Sequence, residues 1–175
     1  MVLVPEVCEA IKGFKDISVL AAGGIVLGRQ MAAAMTMGAH GAWTGSMWLT
    51  TSEASTSPVI KEKMLSTNSR DTVRSRSRTG KYSRQMRSPW TDAWEDENAP
   101  DPLPMPLQPL ISEPALSKIT KMAEGGHPGA RQLATYWVGQ GVGPMNKTQS
   151  CKAVMYDFMQ DFLGATEKMQ RMMDD

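Results

Sequence analysis

A chain of 175 residues with a formal net charge of +1 and 41% hydrophobic residues is long enough for one domain with a sizeable core. Its charge balance offers no general attraction to nucleic acid or to a membrane surface, and its two cysteines, Cys8 and Cys151, are too few and too distant to frame a disulfide scaffold. No Cys/His spacing suggests a metal site, no signal peptide is read ahead of the longest apolar run, and that run, Ile17 to Leu27, falls well short of the ~20 residues that cross a bilayer; the default expectation is a cytoplasmic protein.

Taken in chain order, Pro5 near a helix start, with Val4, Val7, Cys8 and Ile11 on one face and Gly13 at the end, describes a short amphipathic helix. Ile17 to Ala22 is apolar with no polar alternation, the pattern of a parallel strand covered on both sides. Gly23 and Gly24 then allow a tight turn and a close ligand approach. Gly28 to Met37 forms a helix that Gly38 ends in the left-handed conformation. After the turn at His40, the chain extends again through Ala42, Trp43 and Thr44, and Gly45-Ser46 repeats the glycine at a strand end. Strand, helix and strand of this length make one right-handed crossover unit.

Both glycine turns would then open at the same sheet edge, where backbone N–H groups and a helix N-terminus favour an anion. No Asp or Glu occurs from Ile17 to Ser52, so nothing acidic in the local sequence opposes a phosphate. A single glycine turn carries little information, since any tight strand-to-helix turn uses glycine. Two of them one unit apart point to a phosphate cradle, the arrangement found after the last two strands of (β/α)8 barrels.

Residues 47 to 65 continue as helix with an interruption near Ser57-Pro58. Ser66 to Ser88 is basic, with Arg70, Arg74, Arg76, Arg78, Lys81, Arg84 and Arg87; Asp92 to Asp101 is acidic; and Pro100, Pro102, Pro104, Pro106 and Pro109 predict an extended connection. Arg74-Ser-Arg-Ser-Arg78 allows an RNA-binding reading, but the acidic neighbour offsets the charge and favours a solvated segment. Glu124-Gly-Gly-His-Pro-Gly129 contains His127, whose setting before Pro128 reads as a turn; His40 sits in the turn between helix and strand. Trp137 to Gly143 is a glycine-rich turn bearing Gln140. Cys151, Val154, Met155, Phe158, Phe162, Ala165 and Met169 recur on one face of a long helix capped by Thr148 or Ser150.

Leu3-Val-Pro-Glu-Val7, Val19-Leu-Ala-Ala-Gly-Gly-Ile25, Gly38-Ala-His-Gly-Ala-Trp-Thr-Gly-Ser46 and Pro102-Leu-Pro-Met-Pro-Leu-Gln108 resemble the C-terminal part of nitronate monooxygenases, formerly grouped as 2-nitropropane dioxygenases. The resemblance implies an α/β fold: the C-terminal portion of a (β/α)8 TIM barrel (strands seven and eight), followed by a mostly helical smaller substrate-side region. It divides the chain into a barrel end at 1–65, a connecting segment at 66–110 and a helical region at 111–175. It implies FMN as cofactor, with Gly23 and Gly24 in the first phosphate loop and Trp43, Thr44, Gly45 and Ser46 in the second. Gln140 becomes a flavin-side or substrate-side contact. The implied reaction is oxidation of a small alkyl nitronate by molecular oxygen, without nucleic-acid or membrane partners and with homo-oligomerisation open. The family's active-site histidine lies upstream of the Val-Pro-Glu segment, so no catalytic residue is assigned and this chain alone is expected to be inactive. Another FMN-dependent barrel oxidoreductase, such as an enoyl reductase, and a noncatalytic fragment stand as alternatives.

Overall fold

A computed structural model describes residues 2–174. By contacts the chain forms two compact units, one comprising Met1–Glu53 with Thr148–Asp175 and the other Ala54–Lys147.

The first unit is built around a parallel strand pair. Strand β1 (Leu20–Ala22) pairs with β2 (Gly41–Trp43) in the register Leu20↔Gly41, Ala21↔Ala42 and Ala22↔Trp43. Helix α2 (Gly28–Thr36) makes the crossover, preceded by α1 (Leu3–Ala10) and ended by Gly38 at φ +103°. The core is made of small side chains: Ala21, Ala34 and Ala39 are buried, with Val4 and Ile25 packed against them. Covering on both faces, expected for Ile17 to Ala22, is not what this chain provides. Ala21 is buried, whereas Leu20 is 50% exposed. A two-stranded pair with one crossover helix has material for only one face.

Helix α7 (Cys151–Asp174) returns to this unit and lies against α2. Ser150 caps it as anticipated, its Oγ accepting from the Ala153 amide at 3.2 Å. The expected apolar stripe is narrower than its sequence spacing: Phe158 is buried, while Met155 and Met169 are exposed. The cause is the closeness of the helices. A Cβ on Gly28 would lie 1.9 Å from the Phe158 carbonyl oxygen, so the seam is backbone against backbone and has room for few side chains.

The second unit starts with α3 (Pro58–Ser66), whose leading Pro58 explains the interruption expected between 47 and 65; the earlier part of that stretch holds only the 3-10 turn Ser46–Trp48, in the first unit. The basic run keeps Arg70, Arg74, Lys81 and Arg87 exposed, a solvated face as expected, and buries Arg78. It contains an antiparallel hairpin of β3 (Thr72–Ser75) and β4 (Ser83–Met86), turned through Gly80 at φ +78°. Arg78 in that turn is buried, held by Glu113 through two hydrogen bonds of 2.7 and 3.0 Å and stacked 3.8 Å over the Trp137 ring. Helices α4 (Pro89–Trp94), α5 (Gln108–Glu124) and α6 (Pro128–Leu133) complete the unit, with Val59, Ala123 and Ala130 in its core. The proline-rich stretch leads directly into α5, with Pro109 in the first turn. Contact boundaries therefore fall after Glu53 and Lys147 rather than after residues 65 and 110, because bonds such as Gln108 Nε2 to the Ser77 carbonyl (2.8 Å) tie the hairpin turn to the start of α5.

Candidate functional site

The parallel register fixes the first candidate site. Because Ala22 pairs with Trp43 and both strands run the same way, Gly23-Gly24 and Thr44-Gly45-Ser46 leave the sheet at one edge, the carboxyl ends of the strands. Ligands in open α/β sheets and in barrels bind at that edge. Gly23 and Gly24 have φ of +98° and +72°, which side chains with a Cβ adopt at a cost. Open space surrounds the position of a Cβ at Gly23 and at Gly45. Trp43 is 71% exposed beside them, and Thr44 Oγ1 accepts from Trp48 Nε1 at 3.0 Å, which orients the second turn. Ser46 begins the 3-10 turn after it. Six of the seven residues singled out in the sequence thus come together.

Gln140 belongs to the second unit. Its side chain is exposed at the start of a 3-10 turn (Gln140–Val142), and its carbonyl accepts from Ser69 Oγ at 2.6 Å. Both histidines have structural positions. His127 caps α6, with Nδ1 accepting from the Ala130 amide at 3.2 Å, and His40 Nδ1 accepts from the Val19 amide at 3.0 Å. A hollow of about 610 Å³ beside His40 and Cys8 opens at the other end of the strands, away from the glycine edge. Among the described residues no cluster of His, Cys, Asp and Glu could hold a metal ion, and no helix is long and apolar enough to cross a membrane.

The N-terminus of α2, expected to be free of carboxylates for a phosphate, is not: Asp161 of α7 sits on it. Asp161 Oδ2 accepts from the Arg29 amide at 2.8 Å, and Oδ1 accepts from Arg29 Nε at 2.8 Å. The Arg29 guanidinium, and then the Arg29 and Gly28 amides, hold the Asp161 carboxyl below its ordinary value, with burial opposing; the same pair raises Arg29. The local stretch does lack acids, and the acid arrives from a position 132 residues away.

Gln30 belongs to no motif visible in the sequence, yet it braces the first turn. Its Oε1 accepts from the amides of Val26 (2.8 Å) and Leu27 (3.0 Å), and its Nε2 donates to the Gly24 carbonyl (3.0 Å). One amide side chain therefore ties both ends of the turn that joins Gly24 to α2. A glutamine on the first turn of a helix, shortly after a glycine pair, is the only local sign of this brace.

Residues 1–161 match the nitronate monooxygenase family. A Mycobacterium tuberculosis protein designated a monooxygenase is 51% identical over 97% of this chain, and a Bacillus subtilis protein designated a nitronate monooxygenase is 29% identical over 92%. The chain spans 44% and 43% of those two relatives, less than half their length. Among solved structures, FabK from Thermotoga maritima superposes with a TM-score of 0.72 at 30% identity, covering 97% of this chain and 50% of that one. Nitroalkane oxidase from Streptomyces ansochromogenes gives 0.69 over 95% of this chain and 45% of that one; at 22% identity this shows a common fold.

Proposed function

This chain belongs to the nitronate monooxygenase family, and from that premise we propose that it supplies the flavin-phosphate site of an FMN-dependent enzyme that oxidises alkyl nitronates with molecular oxygen. The observation that carries this reading is the shared edge of Gly23-Gly24 and Thr44-Gly45-Ser46, set by the Ala22↔Trp43 pairing. In this reading β1 and β2 are strands seven and eight of a (β/α)8 barrel, and the remainder of the barrel comes from sequence outside this chain.

The residues present fit a phosphate. Positive φ at Gly23 and Gly24 and open space over Gly23 and Gly45 leave room that a Cβ would take up, and two glycine turns at one edge would offer main-chain N–H groups to a bound phosphate. The Thr44 and Ser46 hydroxyls stand in the second turn as further hydrogen-bonding groups, and exposed Trp43 offers an aromatic face beside it. Bound there, the flavin would supply the redox chemistry. The chain's own contribution is binding and orientation, which fixes the cofactor relative to reacting groups carried elsewhere. With His127 engaged as a helix cap and His40 bonded to Val19, neither is offered as the base.

An oxygen electrode tests the reading. The 175-residue chain with excess FMN should consume no oxygen with an alkyl nitronate, and joining it to an upstream barrel half that carries the family's histidine should restore consumption. Turnover by the chain alone, abolished by His127→Ala without unfolding, would overturn the assignment. Enoyl reduction on the same cradle would show instead as nicotinamide oxidation with an enoyl substrate and no nitronate turnover.

A further inference from the structure

The turn between Gly24 and Arg29 is held by two side chains that no strand or helix ladder requires. Gln30 takes the Val26 and Leu27 amides and returns a donor to the Gly24 carbonyl. Asp161 takes the Arg29 amide and is itself clamped by the Arg29 guanidinium. Together they account for the amides of Leu27 and Arg29 at the positive end of α2, where anions bind by default, and of Val26 just before it. A carboxylate already fills that position, and a second anion placed there would meet like charge at close range.

We propose that Gln30 and Asp161 are positioning residues for the phosphate turn: they set the path of Gly24–Gly28 before any ligand arrives, and they exclude the ligand's phosphate from the α2 N-terminus, confining it to the Gly23-Gly24 and Gly45-Ser46 turns. This rests on the reading of the glycine edge as a flavin-phosphate site. Fixing a glycine-rich turn in advance removes an ordering cost that binding would otherwise bear. The exclusion gives direction as well, because a phosphate drawn to α2 would shift the attached ring along the sheet edge.

Amide hydrogen exchange on the 175-residue chain, alone and with inorganic phosphate, FMN or riboflavin, tests the proposal. In the unliganded chain the Val26 and Leu27 amides should exchange about tenfold faster in Gln30→Ala with Arg29 unchanged, and Arg29 about tenfold faster in Asp161→Ala with Val26 and Leu27 unchanged. In Asp161→Ala, inorganic phosphate should newly protect the Arg29 amide; in the parent chain it should not. Uniform acceleration across β1, α2 and α7 in both variants, or phosphate protection of Arg29 in the parent, overturns the proposal. Should Gln30→Ala fail to fold, Gln30→Glu keeps an acceptor oxygen for the Val26 and Leu27 amides and replaces the donor to Gly24 with a second acceptor, so Val26 and Leu27 must stay protected while the Gly24 carbonyl loses its bond. The comparison of FMN with riboflavin separates this inference from the one beneath it. Equal affinity for the two in the parent removes the phosphate-site reading, whereas a parent preference for FMN that both alanine variants retain in full removes the positioning role alone.

Discussion

Gly28 and Phe158 meet backbone to backbone: a Cβ built on Gly28 would stand 1.9 Å from the Phe158 carbonyl oxygen and 2.4 Å from the Phe162 amide nitrogen. No rotamer change relieves such a contact, because both obstacles are main chain. Gly28→Ala should therefore separate α2 from α7 and cost about 2 kcal/mol or more. Gly164→Ala, in α7 with open space around its Cβ, should gain several tenths to about 1 kcal/mol from helix propensity. Urea midpoints of the two variants should move in opposite directions; a common direction would refute the account of the seam.

Gly24→Asp is expected to weaken FMN retention, in an enzyme completed by an upstream barrel half, by about tenfold or more. It forces a Cβ into φ +72° and adds a negative charge beside the phosphate. Flavin absorbance after gel filtration is the measurement, and full occupancy in the folded variant would remove Gly24 from the site.

Acid should loosen the first unit. Asp161 and Glu53 both have folded-state pKa values below their ordinary 3.8 and 4.5, Asp161 through Arg29 and Glu53 through Ser52 Oγ and the Cys151 amide. A lowered carboxylate stabilises the fold fully above its unfolded value and loses that contribution as pH falls through its folded value. The urea midpoint should accordingly drop below about pH 4.5, and Asp161→Asn with Glu53→Gln should flatten that slope while lowering the plateau near neutrality. An unchanged acid limb in the double variant would contradict the two bonds.

Arg78→Leu should destabilise the second unit by about 2 kcal/mol, below the range for a fully buried pair because the Glu113 side chain is 42% exposed and can recover water. Trp137, 3.8 Å from the guanidinium, should report the loss as a change in fluorescence. Arg78→Lys should be little better, since one ammonium cannot replace the two-point contact with Glu113.

His127→Ala should cost about 1 kcal/mol through loss of the α6 cap and leave flavin affinity and oxygen consumption of a completed enzyme untouched. A fall in turnover number in a folded variant would return His127 to the catalytic candidates.

The parts of the fold that sequence expresses locally were readable. The end of the Ile17–Ala22 stretch, where Leu20–Ala22 forms the strand, the α2 run ended by Gly38 and the second glycine strand end need only neighbouring residues to specify them. His127 is marked as a turn residue by Pro128 alone. Features that escaped depend on distant partners. Asp161 reaches Arg29 across 132 residues and its sequence context is an ordinary helix face, so only the lack of acids near α2 hints that one must come from elsewhere. The hairpin of β3 and β4 is hidden because its strands are only four residues long and pair Arg74 with Arg84, so charge masks the strand pattern; burial of Arg78 depends on Glu113 and Trp137, neither close in sequence. The face of α7 was overestimated because periodicity gives the direction of a stripe, whereas the approach at Gly28 sets its width.

The first unit is discontinuous in sequence, and that gives its assembly a timetable. The glycine turn and Arg29 leave the ribosome before the whole of the second unit, and Asp161 emerges only after a further 132 residues, roughly ten seconds at ordinary elongation rates. Through that interval the nascent chain carries Gln30 but not Asp161, the carboxylate that the Arg29 amide meets in the folded unit. When α7 docks, Asp161 closes over the start of α2, so a helix made late settles the charge around a turn made much earlier.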